Sequence, residues 1–195
     1  IVPLSESALA KVRIKIGMVF QDAALFDSFS VFDNVAFPLR EHFSLSRGEI
    51  ASRVDEQLEN LGVLHARAKL PSELSGGMRK RVAVARAMVT KPELLIYDEP
   101  TRGLDPITSR AVDDLIASTR EKTGVSVIMI SHDMKSVVDL AHHISLLHEG
   151  HIAVSAEHDA FLTSTDTRVR NFLDVSNVEL PPHLEAIVRA QGAVK

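Results

Sequence analysis

Leu94-Leu95-Ile96-Tyr97-Asp98-Glu99-Pro100 is the stretch that decides the fold of this 195-residue chain. Four apolar residues after Lys91-Pro92 predict a short strand buried on both faces, the pattern of a parallel sheet. Two adjacent carboxylates then close it. Carboxylates are costly at the edge of a buried strand unless something there needs them. That edge is also where open α/β sheets bind ligands. A solvated strand end explains the pair equally well if it stands alone.

Downstream, Asp105 followed by Pro106 is a helix start, cap and first helical position. Ile107, Ala111, Leu115 and Thr119 follow at four-residue spacing, and Gly124 can close the helix. Val125 to Ile130 predicts the next buried strand, and Ser131-His132-Asp133 ends it on the same edge. Met134, Val137, Val138 and Ala141 mark one face of another helix. His143 to His148 and His151 to Val154 read as a hairpin turning on Glu149-Gly150. Strands alternating with helices predict an α/β fold on a parallel sheet.

Upstream, Ile16 to Phe20 predicts the first strand, with Gln21 at its end. From 22 to 73 the pattern changes. Phe26, Phe29, Val31, Phe32, Val35, Phe37 and Leu39 crowd a segment without clean alternation. Ile50, Val54, Leu58 and Leu61 then recur at helical spacing before Gly62, which predicts a small inserted helical subdomain. Leu74-Ser75-Gly76-Gly77-Met78 opens a helix from Arg79 to Val89. Ser75 can cap it, and two glycines admit close backbone approach. Unpaired N–H groups and the helix dipole favour an anion there, although an ordinary capped helix accounts for the same residues. Pro181-Pro182 breaks the chain before a last short helix with Leu184, Ile187 and Val188 on one face. The expected organisation is 1–21 as the end of an N-terminal core portion, 22–90 as the helical subdomain, 91–163 as the α/β core and 164–195 as a C-terminal extension.

Composition excludes several classes. Apolar residues at 45% and charged residues at 25% fit a folded globular domain, not a disordered or collagen-like chain. Twenty-two basic against 26 acidic residues give −4, which argues against a nucleic-acid coat or a polybasic membrane anchor. The absence of cysteine removes disulfides, thiol nucleophiles and Cys-based zinc sites, and fits a reducing, cytosolic compartment. No apolar run is long enough to span a bilayer. The chain begins with Ile1, and no signal-peptide pattern follows. No two of the nine glycines are five positions apart, so a G-x-x-x-x-G-K-[ST] phosphate loop cannot be written; none are two apart, which removes G-x-G-x-x-G. His148-Glu149-Gly150-His151 is not H-E-x-x-H, and its turn glycine explains it. Arg79, Lys80, Arg81 and Arg86 read as a solvated face with salt bridges.

By residue type, Asp98 suits Mg²⁺, directly or through water, and Glu99 suits polarising an attacking water. His132 suits a hydrogen bond to a terminal phosphate, and Gln21 a polar ligand. Eight specified residues at roughly 5% each have a joint chance on the order of 10⁻¹⁰. Even ~10⁵ permitted spacings leave coincidence negligible on that composition.

In this order Gln21, Leu74-Ser75-Gly76-Gly77, Asp98-Glu99-Pro100, Gly103-Leu104-Asp105-Pro106 and His132 resemble the Q-loop, signature, Walker B, D-loop and switch histidine of an ATP-binding-cassette (ABC) ATPase. The resemblance runs from about Gly17 to Val154. The stacking aromatic and Walker A loop that the family carries upstream are not in it, so the chain resembles the C-terminal two-thirds of such a subunit. The resemblance implies a P-loop NTPase-like parallel-sheet core, its N-terminal part missing, with an inserted helical subdomain. It implies ATP and Mg²⁺ as cofactors, with Glu99 and His132 catalytic. Gln21, Ser75, Gly76, Gly77, Asp98 and Asp105 would meet the nucleotide, and Asp98 and Gln21 the metal. It further implies a homodimer that sandwiches ATP between the signature of one protomer and the Walker motifs of the other.

Finer features resemble the Mla/MCE-type phospholipid transporters: Met78 where most importers carry glutamine, Gly17-Met18-Val19-Phe20-Gln21, Ala24-Leu25-Phe26, Asn34 through His42, and Arg168 through Leu173. That implies a peripheral ATPase on the cytoplasmic face of the bacterial inner membrane, bound to an integral-membrane permease. An MCE-type lipid-binding protein belongs in such a complex, and nucleic acid does not. Arg102 stands where serine, alanine or valine is commoner. An ABC protein of DNA repair is disfavoured because the interval from Gln21 to Ser75 leaves no room for a long coiled coil. The alternatives are the ATPase of another ABC importer and a catalytically dead regulatory or docking module; the second is disfavoured by the intact Glu99 and His132, so truncation is favoured over degeneration, and the chain alone is expected to be inactive. The resemblance also places a permease-docking groove at the phenylalanines of 20–37, which core packing explains equally well.

Overall fold

The structure, a computed structural model, describes residues 4–192. The ends of the first and last expected segments, 1–3 and 193–195, lie outside the described residues. The chain divides after Ser131 into two units.

The first unit opens with α1 (Glu6–Ile14) and β1 (Ile16–Val19), continues through α2 (Val31–His42), α3 (Arg47–Asn60) and α4 (Gly76–Met88), and ends with β2 (Leu94–Asp98), α5 (Pro106–Thr123) and β3 (Ser126–Ile130). The strands form a parallel sheet in the order β1-β2-β3. Gly17, Leu95 and Val127 lie in register, as do Met18, Ile96 and Ile128, so alternate residues fall on opposite faces. Val19, Leu95 and Tyr97 are buried on one face. There β1 runs so close to α4 that a Cβ on Gly17 would come within 2.8 Å of the Ala87 carbonyl oxygen, a spacing only glycine permits.

The other face corrects the expectation of strands buried on both sides. Ile128 and Ile130 are 50% and 52% exposed, and Met18 is exposed beside them. The helices of this unit leave that face open.

The segment without alternation is helical. Ser30 caps α2 by accepting from the Asp33 N–H at 3.1 Å, and Val31, Val35 and Leu39 form its fully buried stripe. The phenylalanines fall off that stripe, which blurs the period. Asn34, 0% exposed, holds the loop before the helix. Its Oδ1 accepts from the Phe26 N–H at 2.8 Å, and its Nδ2 donates to the Phe26, Phe29 and Ser30 carbonyls at 3.1 Å each. In α3 the Ser46–Glu49 capping box and the buried Ile50, Val54 and Leu58 follow the sequence signals. Gly124, at φ 68°, closes α5 in the left-handed conformation.

The second unit contains α6 (Met134–Leu140), the antiparallel pair β4 (His143–His148) and β5 (His151–Glu157), then α7 (His158–Leu162), α8 (Thr167–Val175) and α9 (Pro182–Gly192). The hairpin turns on Glu149 and Gly150, both at positive φ, as a two-residue primed turn requires. Met134, Ile144, Phe161, Leu162, Val169, Leu173 and Leu184 form its core. In α9 Leu184 is buried, but Ile187 stays exposed, so the expected apolar face is only partly used.

Acid should unfasten several of these caps together. Asp166 accepts from the Arg168 N–H at 2.9 Å and from its guanidinium at 2.7 Å. The Arg168 hydrogen bond holds the Asp166 carboxyl at about 2, against an ordinary 3.8. Asp33, hydrogen-bonded by Ser30, and Asp105, by Thr108, are also lowered. A depressed folded-state value means the unfolded chain binds more protons in acid, so this stabilisation is complete above the ordinary value and is lost as pH falls through the folded one. The melting midpoint should therefore drop as pH falls from about 4 to about 2, and drop less in Asp166→Asn. Identical pH profiles for the two proteins would refute the assignment to Asp166.

Candidate active site

Because the strands are parallel, their C-terminal ends share one edge of the sheet. There β1 runs on to Gln21, and β2 ends at Asp98 with Glu99 next in the chain. The Glu99 N–H donates to the Ile130 carbonyl at 2.9 Å, one step beyond the last paired residue of the β2–β3 ladder. Glu99 sits at φ 48°, a left-handed conformation costing a residue with a Cβ about 1–2 kcal/mol. Such strain persists where surroundings fix it. Here they do, because Pro100 and Thr101 are buried and the Arg102 N–H returns to the Glu99 carbonyl at 3.3 Å. The two carboxylates thus stand half-buried on a fixed turn.

Ser75 caps α4, its Oγ accepting from the Met78 N–H at 3.3 Å. Neither Gly76 nor Gly77 has a positive φ. A Cβ on Gly77 would meet nothing within 4 Å, and one on Gly76 only the end of Arg79 at 3.9 Å. Glycine in a helix costs about 1 kcal/mol against alanine, so this fold gains nothing from either residue. Their bare backbone is available to something outside the chain.

Helix α4 runs opposite in sense to β1, with Ala87 against Gly17 and Lys80 reaching the Gln21 carbonyl. Ser75 lies five residues beyond Lys80, about 7–8 Å further along the axis. The signature turn therefore projects past the carboxyl edge of the sheet.

Asp105 has a local occupation as well. Its Oδ1 accepts from the Ile107 and Thr108 N–H groups at 3.0 and 3.1 Å, and Oδ2 from the Thr108 hydroxyl at 2.5 Å. His132, exposed, opens the second unit two residues after β3. It lines a cleft of about 470 Å³ with Asp133, Lys135, Asp139, Asn177 and Glu179.

The basic residues of α4 are the main correction at the site. Instead of forming a solvated face, all four donate to main-chain carbonyls. Arg79 donates to Leu74 at 2.6 Å, Lys80 to Gln21, Arg81 to Leu61 at 3.0 Å, and Arg86 to Ala24 and Ala23 at 2.7 and 2.8 Å. Lys80 is only 7% exposed. Burial lowers its ammonium below the ordinary value, partly offset by Asp22, and burial lowers Arg86 too. A buried cation needs partners, and helical spacing alone cannot announce carbonyls contributed by a distant loop.

Residues 2–102 match the family model described as ABC transporter. The chain is 42% identical over 171 residues to the intermembrane phospholipid transport system ATP-binding protein MlaF of Escherichia coli strain K12. That match covers 88% of this chain and 64% of MlaF, so the chain spans less than two-thirds of that relative's length. Among solved structures it resembles cbiO1 of Clostridium perfringens, part of the ABC transporter complex cbiONQ, with a TM-score of 0.73 and 30% identity over 94% of this chain and 71% of that one. A dimeric ATP-binding cassette in a post-hydrolysis state, bound to ADP and phosphate, matches with a TM-score of 0.67 and 30% identity over 80% of this chain and 68% of that one. With the α/β fold, the capped glycine turn and the paired carboxylates at the sheet edge, these matches establish that the chain belongs to the ABC transporter family.

Proposed function

We propose that this chain carries the signature, Walker B and switch elements of an ATPase that powers phospholipid transport across the bacterial envelope. The observation that carries this reading is the Gly76-Gly77 turn, bare and open where the fold has no use for glycine. Its N–H groups and Ser75 bind the terminal phosphates of a nucleotide held by a second protomer. Glu99, fixed on its turn, takes the proton of the attacking water. His132 hydrogen-bonds the terminal phosphate, and Asp105 stabilises the approach to the second protomer through the turn it caps. Two protein oxygens, from Asp98 and Gln21, suit Mg²⁺, which keeps waters and takes substrate phosphates; when bound it neutralises phosphate charge.

This reading takes as partners a second ATPase subunit, an integral-membrane permease and an MCE-type lipid-binding protein, and the 42% identity to a phospholipid transport ATP-binding protein supports it. Among the described residues no helix is long and apolar enough to cross a membrane. In this reading the subunit sits on the cytoplasmic face of the inner membrane, held there by the permease. The test is the complete subunit reconstituted with its permease, following phosphate release and labelled-lipid movement. Phosphate release without lipid movement would overturn the substrate class, and neither would overturn the ATPase reading.

The permease surface is the aromatic groove. Phe26, 42% exposed, packs its ring 5.1 Å from Phe29 and 5.0 Å from Phe37, and lines a groove of about 330 Å³ with Met18, Phe20, Phe37 and Arg86. Aromatics dominate binding hot spots. Phe26→Ala with Phe29→Ala should weaken permease association by about 2 kcal/mol or more, with an intact melting transition. Undiminished co-purification, or loss together with a collapsed melting curve, would return these rings to the core.

A further inference from the structure

The segment following Gln21 is strained. Ala23 and Ala24 stand consecutively at φ 64° and 45°, a conformation disfavoured by any residue with a Cβ. Such backbone persists only where its surroundings over-determine it. Here the constraint comes mainly from one helix sixty residues away. Arg86 grips the Ala23 and Ala24 carbonyls with separate nitrogens, and Lys80 holds the Gln21 carbonyl. The Ala23 N–H adds one local bond, to the Phe20 carbonyl at 3.0 Å.

Arg86 also faces the aromatic groove. Its guanidinium lies 6.0 Å from the Phe26 ring centroid, and it lines the groove beside Phe26 and Phe37. It belongs to the same helix as Ser75, Gly76 and Gly77, and that helix is packed along its length through Val82, Ala83, Val84, Ala85, Ala87 and Met88. A packed helix moves as a unit, so displacement at Arg86 reaches Ser75 about 16 Å away along the axis.

We propose that Lys80 and Arg86 are positioning residues, a two-point latch that holds the Gln21 loop in its left-handed form. The latch passes movement of a segment seated in the aromatic groove to Gln21 on one side and to the signature turn on the other. The transmission rests on the ATPase reading above; the latch does not. A guanidinium suits the Arg86 position because its planar fork serves two carbonyls at once. A lysine there can serve one.

Hydrogen–deuterium exchange on this chain tests the latch. In Arg86→Ala and Lys80→Met the amides of Ala23 and Phe26 should exchange at least tenfold faster, with those of Ile50, Val54 and Leu58 unchanged, and Arg86→Lys should fall between. Unchanged exchange at 23 and 26 in both variants overturns the latch. Exchange that rises equally through α2, α3 and α4 also overturns it, because the cations are then packing elements.

The full-length subunit bound to its permease tests transmission. Arg86→Ala should lower kcat at least tenfold with the KM for ATP within about twofold, since the Arg86 guanidinium is engaged by the Ala23 and Ala24 carbonyls and lies about 16 Å along the helix from Ser75, and Arg86→Lys should recover part of the loss. Faster loop exchange with unchanged kcat overturns transmission. A wild-type complex without hydrolysis condemns the ATPase reading instead, and the exchange result then decides the latch.

Discussion

The 195-residue chain should bind ATP no better than millimolar. Nucleotide affinity in phosphate-loop ATPases comes largely from backbone N–H groups and a lysine around the β- and γ-phosphates, and no G-x-x-x-x-G-K-[ST] occurs here. Hydrogen bonds to charged groups contribute roughly 1.5–3 kcal/mol each, so losing three removes about 4–9 kcal/mol. Micromolar binding is about 8.2 kcal/mol and millimolar about 4.1, so the loss consumes half or more of the affinity. The remaining groups do not compensate. Asp98 and Glu99 repel phosphate unless a cation stands between, and the Ser75 turn projects past the sheet edge, away from them. Titration calorimetry with Mg-ATP should show no micromolar binding, and a micromolar constant would refute this account.

Local chemistry made much of the first unit legible. Asp105-Pro106 and Gly124 bracket α5, Ser75 caps α4, and Gly62 at φ 69° follows α3, as their backbone preferences require. What the sequence hid depends on partners distant in the chain. The phenylalanines around α2 masked a clean Val31-Val35-Leu39 stripe, because aromatics on flanking positions carry the same apolar signal as core residues. Lys80 and Arg86 looked solvated, because nothing local says that the carbonyls of 21–24 lie opposite them. The open face bearing Ile128 and Ile130 is hidden in the sequence, since a run of apolar residues does not tell whether a second layer is present. At the candidate site, residue types, their order and the Asp105 cap are readable, but the Thr108 hydroxyl that occupies its second oxygen is not.

In the complete subunit, Glu99→Gln should abolish hydrolysis while sparing ATP binding. The Glu99 main chain is anchored through its N–H to Ile130 and its carbonyl to Arg102, and glutamine keeps both bonds. Its φ of 48° taxes glutamine as much as glutamate, because the strain comes from Cβ. The turn should therefore survive, and the amide should occupy the carboxylate's place. What disappears is the ability to accept a proton from water, and general-base assistance is worth about 10²–10⁴ in rate. ATP affinity should change little, since Glu99 is assigned to the water and not to the phosphates. Binding without turnover should then trap the ATP-bound dimer, visible as a shift in size-exclusion elution that ATP induces in the variant and only transiently in the wild type. Steady-state phosphate release should fall by at least an order of magnitude and by up to about 10⁴. Retention of more than about a tenth of the wild-type rate would remove Glu99 from the base role. Loss of both binding and turnover would make it a structural residue of the turn.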